Sequence, residues 1–191
     1  MYLYGASGHA LVVIDILHAM GIKIDAVIDD DLAVSELDGI KVQHEFHGES
    51  PMILTIGKNH IRRRLNEELD CVWGTAIHPT AIISPTATVG KGTVVMHGAI
   101  VQPHTKVGKH CIINTGASVD HECLIGDFVH ISPHATVCGQ VEVGEGTWIG
   151  AGATIIQCVK IGKDCVIGAG SVVLHDVPDG TKVAGNPARE I

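Results

Sequence analysis

From Ile77 onward the apolar residues of this chain recur every six. Counting by six from Ile77 passes through Ile83, Val89, Val95 and Val101 and ends at Val173, and all seventeen positions hold Ile or Val. The place two residues before each is small or short-chained, as in Ala81, Ala87, Thr93, Ala99, Thr105, Cys111, Ala117 and Cys123. Neither a helix nor an ordinary sheet calls for a strict six. A solenoid with three short faces per coil does, because each face repeats its inward residues once per turn. Both places are therefore read as inward-facing. Gly90, Gly108, Gly126, Gly144 and Gly162 add a period of eighteen, which is three sixes. They predict one corner of a triangular prism where a tight bend would strain a side chain. The run predicts a β-helix of about five coils, roughly 25 Å long at the strand spacing.

Before the repeat the pattern changes. Met1–Tyr4 reads as a strand, Gly5-Ala6-Ser7-Gly8 as a tight turn, and His9–Met20 as a helix with Leu11, Ile14 and Leu17 on one side. Ile24–Ile28 and Met52–Ile56 read as further strands, with a helix over Asn59–Leu69. The chain is thus expected to divide into a Rossmann-like α/β domain over residues 1–75 and a β-helix with a C-terminal cap over residues 76–191.

Composition narrows the function classes. Aromatics make up 3% of the 191 residues, which suits a narrow core stacked from Ile, Val, Ala and Thr. Thirteen Lys and Arg against twenty-one Asp and Glu leave a formal charge of −8 with no basic block, so nucleic acid is not an expected partner. No apolar run reaches the length of a membrane span and the N-terminus carries no leader pattern, so a cytoplasmic protein without membrane contact is expected. Cys111, Cys123 and Cys165 fall at the small inward position and read as buried thiols.

Two places carry candidate chemistry. Gly5-x-x-Gly8 at a strand-to-helix turn, with Asp29 at the end of the next strand, has the layout for backbone contacts to a phosphate and a carboxylate contact to a ribose. A turn that merely packs is the other reading. Thirteen histidines are the second signal, among them His121 between Asp120 and Glu122 at a predicted corner. An imidazole beside a carboxylate suits proton abstraction, and an exposed histidine between two solvated acids is the alternative. His130 shares its repeat position with Trp148, eighteen residues on, and reads as an outward residue stacking on that neighbour.

Taken in order, Tyr4-Gly5-Ala6-Ser7-Gly8-His9, Ile28-Asp29-Asp30, Ile56-Gly57-Lys58-Asn59, Ile61-Arg62, His78-Pro79, Asn114-Thr115, Asp120-His121-Glu122 and Gly185-Asn186-Pro187 resemble the hexapeptide-repeat acetyltransferases that carry a small nucleotide-binding domain and act on amino sugars for bacterial glycans. The resemblance spans nearly the whole chain. It implies a left-handed parallel β-helix and direct acetyl transfer from acetyl-CoA to the 4-amino group of a UDP-4-amino-4,6-dideoxy sugar. It further implies His121 as general base, Glu122 as its orienting acid and the Gly139 N–H as oxyanion donor. By the same resemblance Ser7, Gly8, His9, Asp29, Asp30 and Gly57 meet the nucleotide sugar, and His130, Ala151 and Ala169 line the acetyl-CoA groove. Active sites would lie between the prisms of a homotrimer, with no metal.

Three other functions share parts of this pattern. A sialic acid O-acetyltransferase would share the turn, the repeat and the acid-flanked histidine. A γ-type carbonic anhydrase, a zinc lyase, is also a trimeric left-handed β-helix, but zinc needs three convergent ligands and an open position, and no such placement is legible. A non-catalytic scaffold would have no use for the histidine corner.

Overall fold

The computed structural model describes residues 1–46 and 51–191. At the N-terminus, β1 (Tyr2–Tyr4), α1 (Gly8–Ala19), β2 (Ala26–Ile28), β3 (Glu36–Leu37), β4 (Ile40–Gln43), β5 (Met52–Leu54) and α2 (Asn59–Glu68) follow one another. The strands form one sheet in the order β3-β4-β2-β1-β5, with β1 parallel to both β2 and β5. The expected α/β unit is present, its strands and second helix one to two residues shorter and its first helix shifted by one residue toward the N-terminus. β3 and β4 were not anticipated. They form an antiparallel pair, Glu36 opposite Lys41, too short and too polar to stand out as a strand pattern. Leu3, Val27 and Ile53 are fully buried between the layers.

From Ala76 the chain winds as a β-solenoid of two-residue strands, stacked in parallel at intervals of eighteen: Ile112–Ile113 on His130–Ile131 on Trp148–Ile149. Three sheets form the faces. The first carries Ile100, Ser118 and Thr136 outward, the second Lys106, Leu124 and Glu142, and the third Ile112, His130 and Trp148. The third face lies against the α/β layer, since Ala76, Val94 and Ile112 share a core cluster with α1 and β1. Inside the prism Val119, Ile131, Val137 and Ile149 are fully buried, as the period of six requires, whereas Ile77, Ile83 and Val89 are half-buried because they close the open end. The small inward positions are satisfied: Thr105 Oγ1 donates to the Asp120 carbonyl at 2.6 Å and accepts from the Cys123 N–H at 3.1 Å. Cys111, Cys123 and Cys165 are buried as expected.

The glycines spaced by eighteen need a different explanation from the one their spacing suggested. Gly90, Gly108, Gly126, Gly144 and Gly162 are absent from the residues of positive φ. A Cβ on Gly90 would lie 2.5 Å from the Gly108 carbonyl oxygen, and one on Gly126 would lie 2.7 Å from the Glu145 N. Crowding by the next coil excludes a side chain there. The left-handed residues instead recur every six from Gly92 to Gly170, one at each corner and so three per coil, and include His104, His110, Glu122, Phe128, His134, Gln140, Cys158 and Asp164. Each such non-glycine costs about 1–2 kcal/mol of backbone strain, which the stacked coils impose. Among the described residues, no helix is long and apolar enough to cross a membrane.

Candidate active site

His121 occupies the corner between the Ser118–Val119 and Leu124–Ile125 strands, and Gly139 stands one coil above it at the same corner, where the Gln140 N–H donates to the His121 carbonyl at 2.9 Å. The imidazole is half exposed. Its Nδ1 lies 3.0 Å from Glu122 Oε2, while Asp120 Oδ1 accepts the His121 backbone N–H at 2.8 Å. Glu122 is held below the usual carboxylate range, first by the hydrogen bond with His121 and then by one from Gln140. An ionised acceptor at Nδ1 leaves the proton on that nitrogen and the lone pair on Nε2. A Cβ on Gly139 would lie 2.6 Å from both Cε1 and Nε2 of His121, so only glycine lets the backbone approach the ring. Among the described residues, no hydrogen bond takes the Gly139 N–H.

A second site lies under the α/β layer. A pocket of about 490 Å³ is lined by Gly5, Ser7, Asp29 and Gly57 from that layer and by His130 and Trp148 from the third face. Gly5 has φ +109°, and a Cβ there would meet Ile56 Cγ1 at 2.7 Å, so the turn depends on glycine. Ser7 precedes α1 without capping it through its side chain, which leaves the helix N-terminus open toward the pocket. Asp29 holds the turn: its Oδ2 accepts the Ala6 N–H at 2.6 Å and its Oδ1 the Asp31 N–H at 2.9 Å. Gly8 begins α1, and Asp30 accepts the Tyr4 hydroxyl; burial, and then this bond, raise the phenol above its ordinary range.

Arg62 holds this seam together, a role that its place in the Ile61-Arg62 motif does not reveal, while Arg64 two residues on is exposed. Arg62 itself is 1% exposed. Its guanidinium donates to the carbonyls of His110, Phe128, Ile56 and Gly57 at 2.9–3.0 Å and to Asn59 Oδ1 at 2.9 Å, tying α2 and the Gly57 loop to the solenoid. Burial, with the Arg62 charge behind it, lowers His9 and His110 to about 4 and His130 to about 3. His130 Nε2 meets Asn114 Nδ2 at 3.1 Å and its ring stacks on Trp148, as the shared repeat position implied. Trp148 is itself fixed by donating to Ser132 Oγ at 2.7 Å.

The structure gathers the expected residues into two groups, not one. His121, Glu122 and Gly139 sit at the corner opposite the third face. His130 is on that face, sharing a pocket with Ser7, Asp29 and Gly57, and Ala151 and Ala169 are exposed one above the other at the next corner, where the Gly170 N–H donates to the Ala151 carbonyl. Within one chain the prism separates the histidine corner from the pocket. Gln140 belongs to the corner group with no role assigned from sequence, and its spacing of eighteen from Glu122 is the signal that would have found it.

Residues 1–69 match the PglD N-terminal domain family, and residues 140–175 match the bacterial transferase hexapeptide (six repeats) family. A solved perosamine N-acetyltransferase from Caulobacter crescentus, a histidine-to-asparagine variant in complex with CoA and GDP-perosamine, is 35% identical with a TM-score of 0.96, over 100% of this chain and 95% of that one. The chain belongs to the hexapeptide-repeat amino-sugar N-acetyltransferase family. Within that family, the acetyltransferase domain of PglB from Neisseria gonorrhoeae, in complex with acetyl coenzyme A, is 37% identical with a TM-score of 0.93, over 100% of this chain and 98% of that one. UDP-N-acetylbacillosamine N-acetyltransferase of Bacillus subtilis is 39% identical over 109 residues, 49% of this chain and 50% of that protein. This chain therefore spans about half the length of that curated relative.

Proposed function

We propose that the chain transfers the acetyl group of acetyl-CoA to the 4-amino group of a UDP-linked 4-amino-4,6-dideoxy sugar, with His121 as general base. The observation that carries this reading is the His121–Glu122 pair set against Gly139, an imidazole with its lone-pair nitrogen beside a bare backbone. His121 Nε2 takes a proton as the sugar nitrogen attacks the thioester carbon. The Gly139 N–H stabilises the oxyanion that forms. When the C–S bond breaks, the proton passes from His121 to the departing sulfur, and no acyl-enzyme is needed.

Residues 1–75 serve as the nucleotide-sugar-binding domain and residues 76–191 as the acetyl-transferring one. Ser7, Gly8 and the N-terminus of α1 take the phosphates, His9 lies beside them, Asp29 and Asp30 serve the nucleoside, and Gly57 lets it approach the backbone. His130, Ala151 and Ala169 line the path of the acetyl-CoA arm. Because the histidine corner and the pocket lie on opposite sides of one prism, a complete site takes residues from two chains, which supports a homotrimer with a cleft between neighbouring prisms.

Thiol release from acetyl-CoA tests the reading, with a UDP-4-amino-4,6-dideoxy sugar, its GDP-linked counterpart and sialic acid as separate acceptors. We expect turnover with the UDP amino sugar. The GDP arm is included because a relative binds GDP-perosamine, and turnover there alone would keep the amine and change the nucleotide. Turnover with sialic acid alone would replace N- by O-acetylation.

A further inference from the structure

We propose that Gln140 is a positioning residue for the His121–Glu122 pair, its side-chain amide holding the Glu122 carboxylate on the imidazole from one coil above. This rests on His121 acting as the base. Gln140 Nε2 donates to Glu122 Oε2 at 3.1 Å, the same oxygen that meets His121 Nδ1 at 3.0 Å. The other end of the amide is also held, since Cys158 Sγ donates to Gln140 Oε1 at 3.4 Å. A carboxylate only accepts and a thiol donates, so the two neighbours fix which way the amide points.

These contacts follow from the coil. His104, Glu122, Gln140 and Cys158 are spaced by eighteen and all have left-handed backbones, with φ of 61°, 58°, 59° and 63°. Their side chains therefore leave successive turns in the same direction and run as a ladder beside His121. The corner that carries Ala151 and Ala169 has mostly glycine at the equivalent step: Gly98, Gly116, Gly152 and Gly170, with His134 between. At the histidine corner the chain accepts the strain of four side chains in succession, and two of the rungs end on the catalytic pair. Glu122 and Gln140 are both exposed, so without the amide the carboxylate would be free to turn to water. Among the described residues, the titratable groups facing the pair include Asp120, bonded to the His121 backbone, and His104, one coil below Glu122.

Two variants test this, each first checked for an unchanged unfolding midpoint. Gln140→Leu keeps the bulk and removes the donor. We expect kcat to fall about tenfold, with the KM for acetyl-CoA and for the nucleotide sugar unchanged. Gln140→Glu keeps the shape and sets a carboxylate beside Glu122. The added negative charge favours the imidazolium, so the acid limb of the kcat–pH profile is expected to move to higher pH. Wild-type kcat in Gln140→Leu, a loss confined to KM, or an unmoved acid limb in Gln140→Glu would each overturn the proposal. His121→Ala is measured alongside. If that variant turns over normally, the base assignment fails, whereas a dead His121→Ala beside an unaffected Gln140→Leu removes only the role of Gln140.

Discussion

At the prism corner His121 is half exposed and leans on Glu122, whereas at the seam under the α/β layer His9, His110 and His130 are enclosed beside the buried Arg62. The residue type is the same and the chemistry differs. A histidine next to an ionised carboxylate and open to solvent can gain and lose a proton during each turnover. One enclosed beside a guanidinium stays neutral throughout the physiological range and can only accept, donate or stack. The seam therefore shapes a pocket, and the corner moves a proton.

The contrast predicts that damage to the seam appears first as instability. Replacing Arg62 by Leu would leave the carbonyls of His110, Phe128, Ile56 and Gly57 without their donor, at a cost of about 3 kcal/mol or more. Denaturant unfolding would register this as a lower midpoint, together with a weaker hold on the nucleotide sugar through the Gly57 loop. An Arg62→Leu variant with the parent's midpoint would show that the seam is held by its apolar contacts alone.

A smaller effect should come from acid. The folded values of His9, His110 and His130 lie near 4, 4 and 3, below the ordinary value of 6.5. Above pH 6.5 these rings are neutral in both states and contribute nothing to the pH dependence. As pH falls below that value the unfolded chain takes up protons that the folded chain refuses, so stability declines between about pH 6.5 and pH 3–4 and then levels off. Thermal unfolding across that range should show the decline, and His130→Asn should make it shallower. An unchanged slope in the variant would remove His130 from the account.

Much of this was legible in the sequence because the solenoid repeats its constraints. One register of Ile and Val at every sixth place fixes the inward side, and Thr105 or Cys123 two places earlier fixes the coil's width. The left-handed corner residues were not legible. The stacked coils impose that conformation on His, Glu, Phe, Gln, Cys and Asp as well as on Gly, despite the strain, so no residue type marks it. The role of Arg62 was hidden for another reason: its five acceptors include carbonyls up to 66 residues away, and backbone acceptors leave no trace in side-chain pattern. The histidine corner stood out locally through Asp120 and Glu122, but its distance from the pocket depends on which face each strand joins.

That separation is the claim on which the whole account turns, and subunit complementation tests it most directly. His121→Ala removes the base and should lower kcat by about 10²–10⁴, while Gly57→Trp would fill the pocket under the α/β layer, since a Cβ at Gly57 meets nothing within 4 Å. Each variant alone should be inactive. Co-expressed in equal amounts and purified as mixed oligomers, they should recover about a quarter of the wild-type rate, because chance pairs an intact corner with an intact pocket at that frequency across a cyclic interface. Mixed oligomers that stay inactive would place base and pocket in one chain and contradict the account.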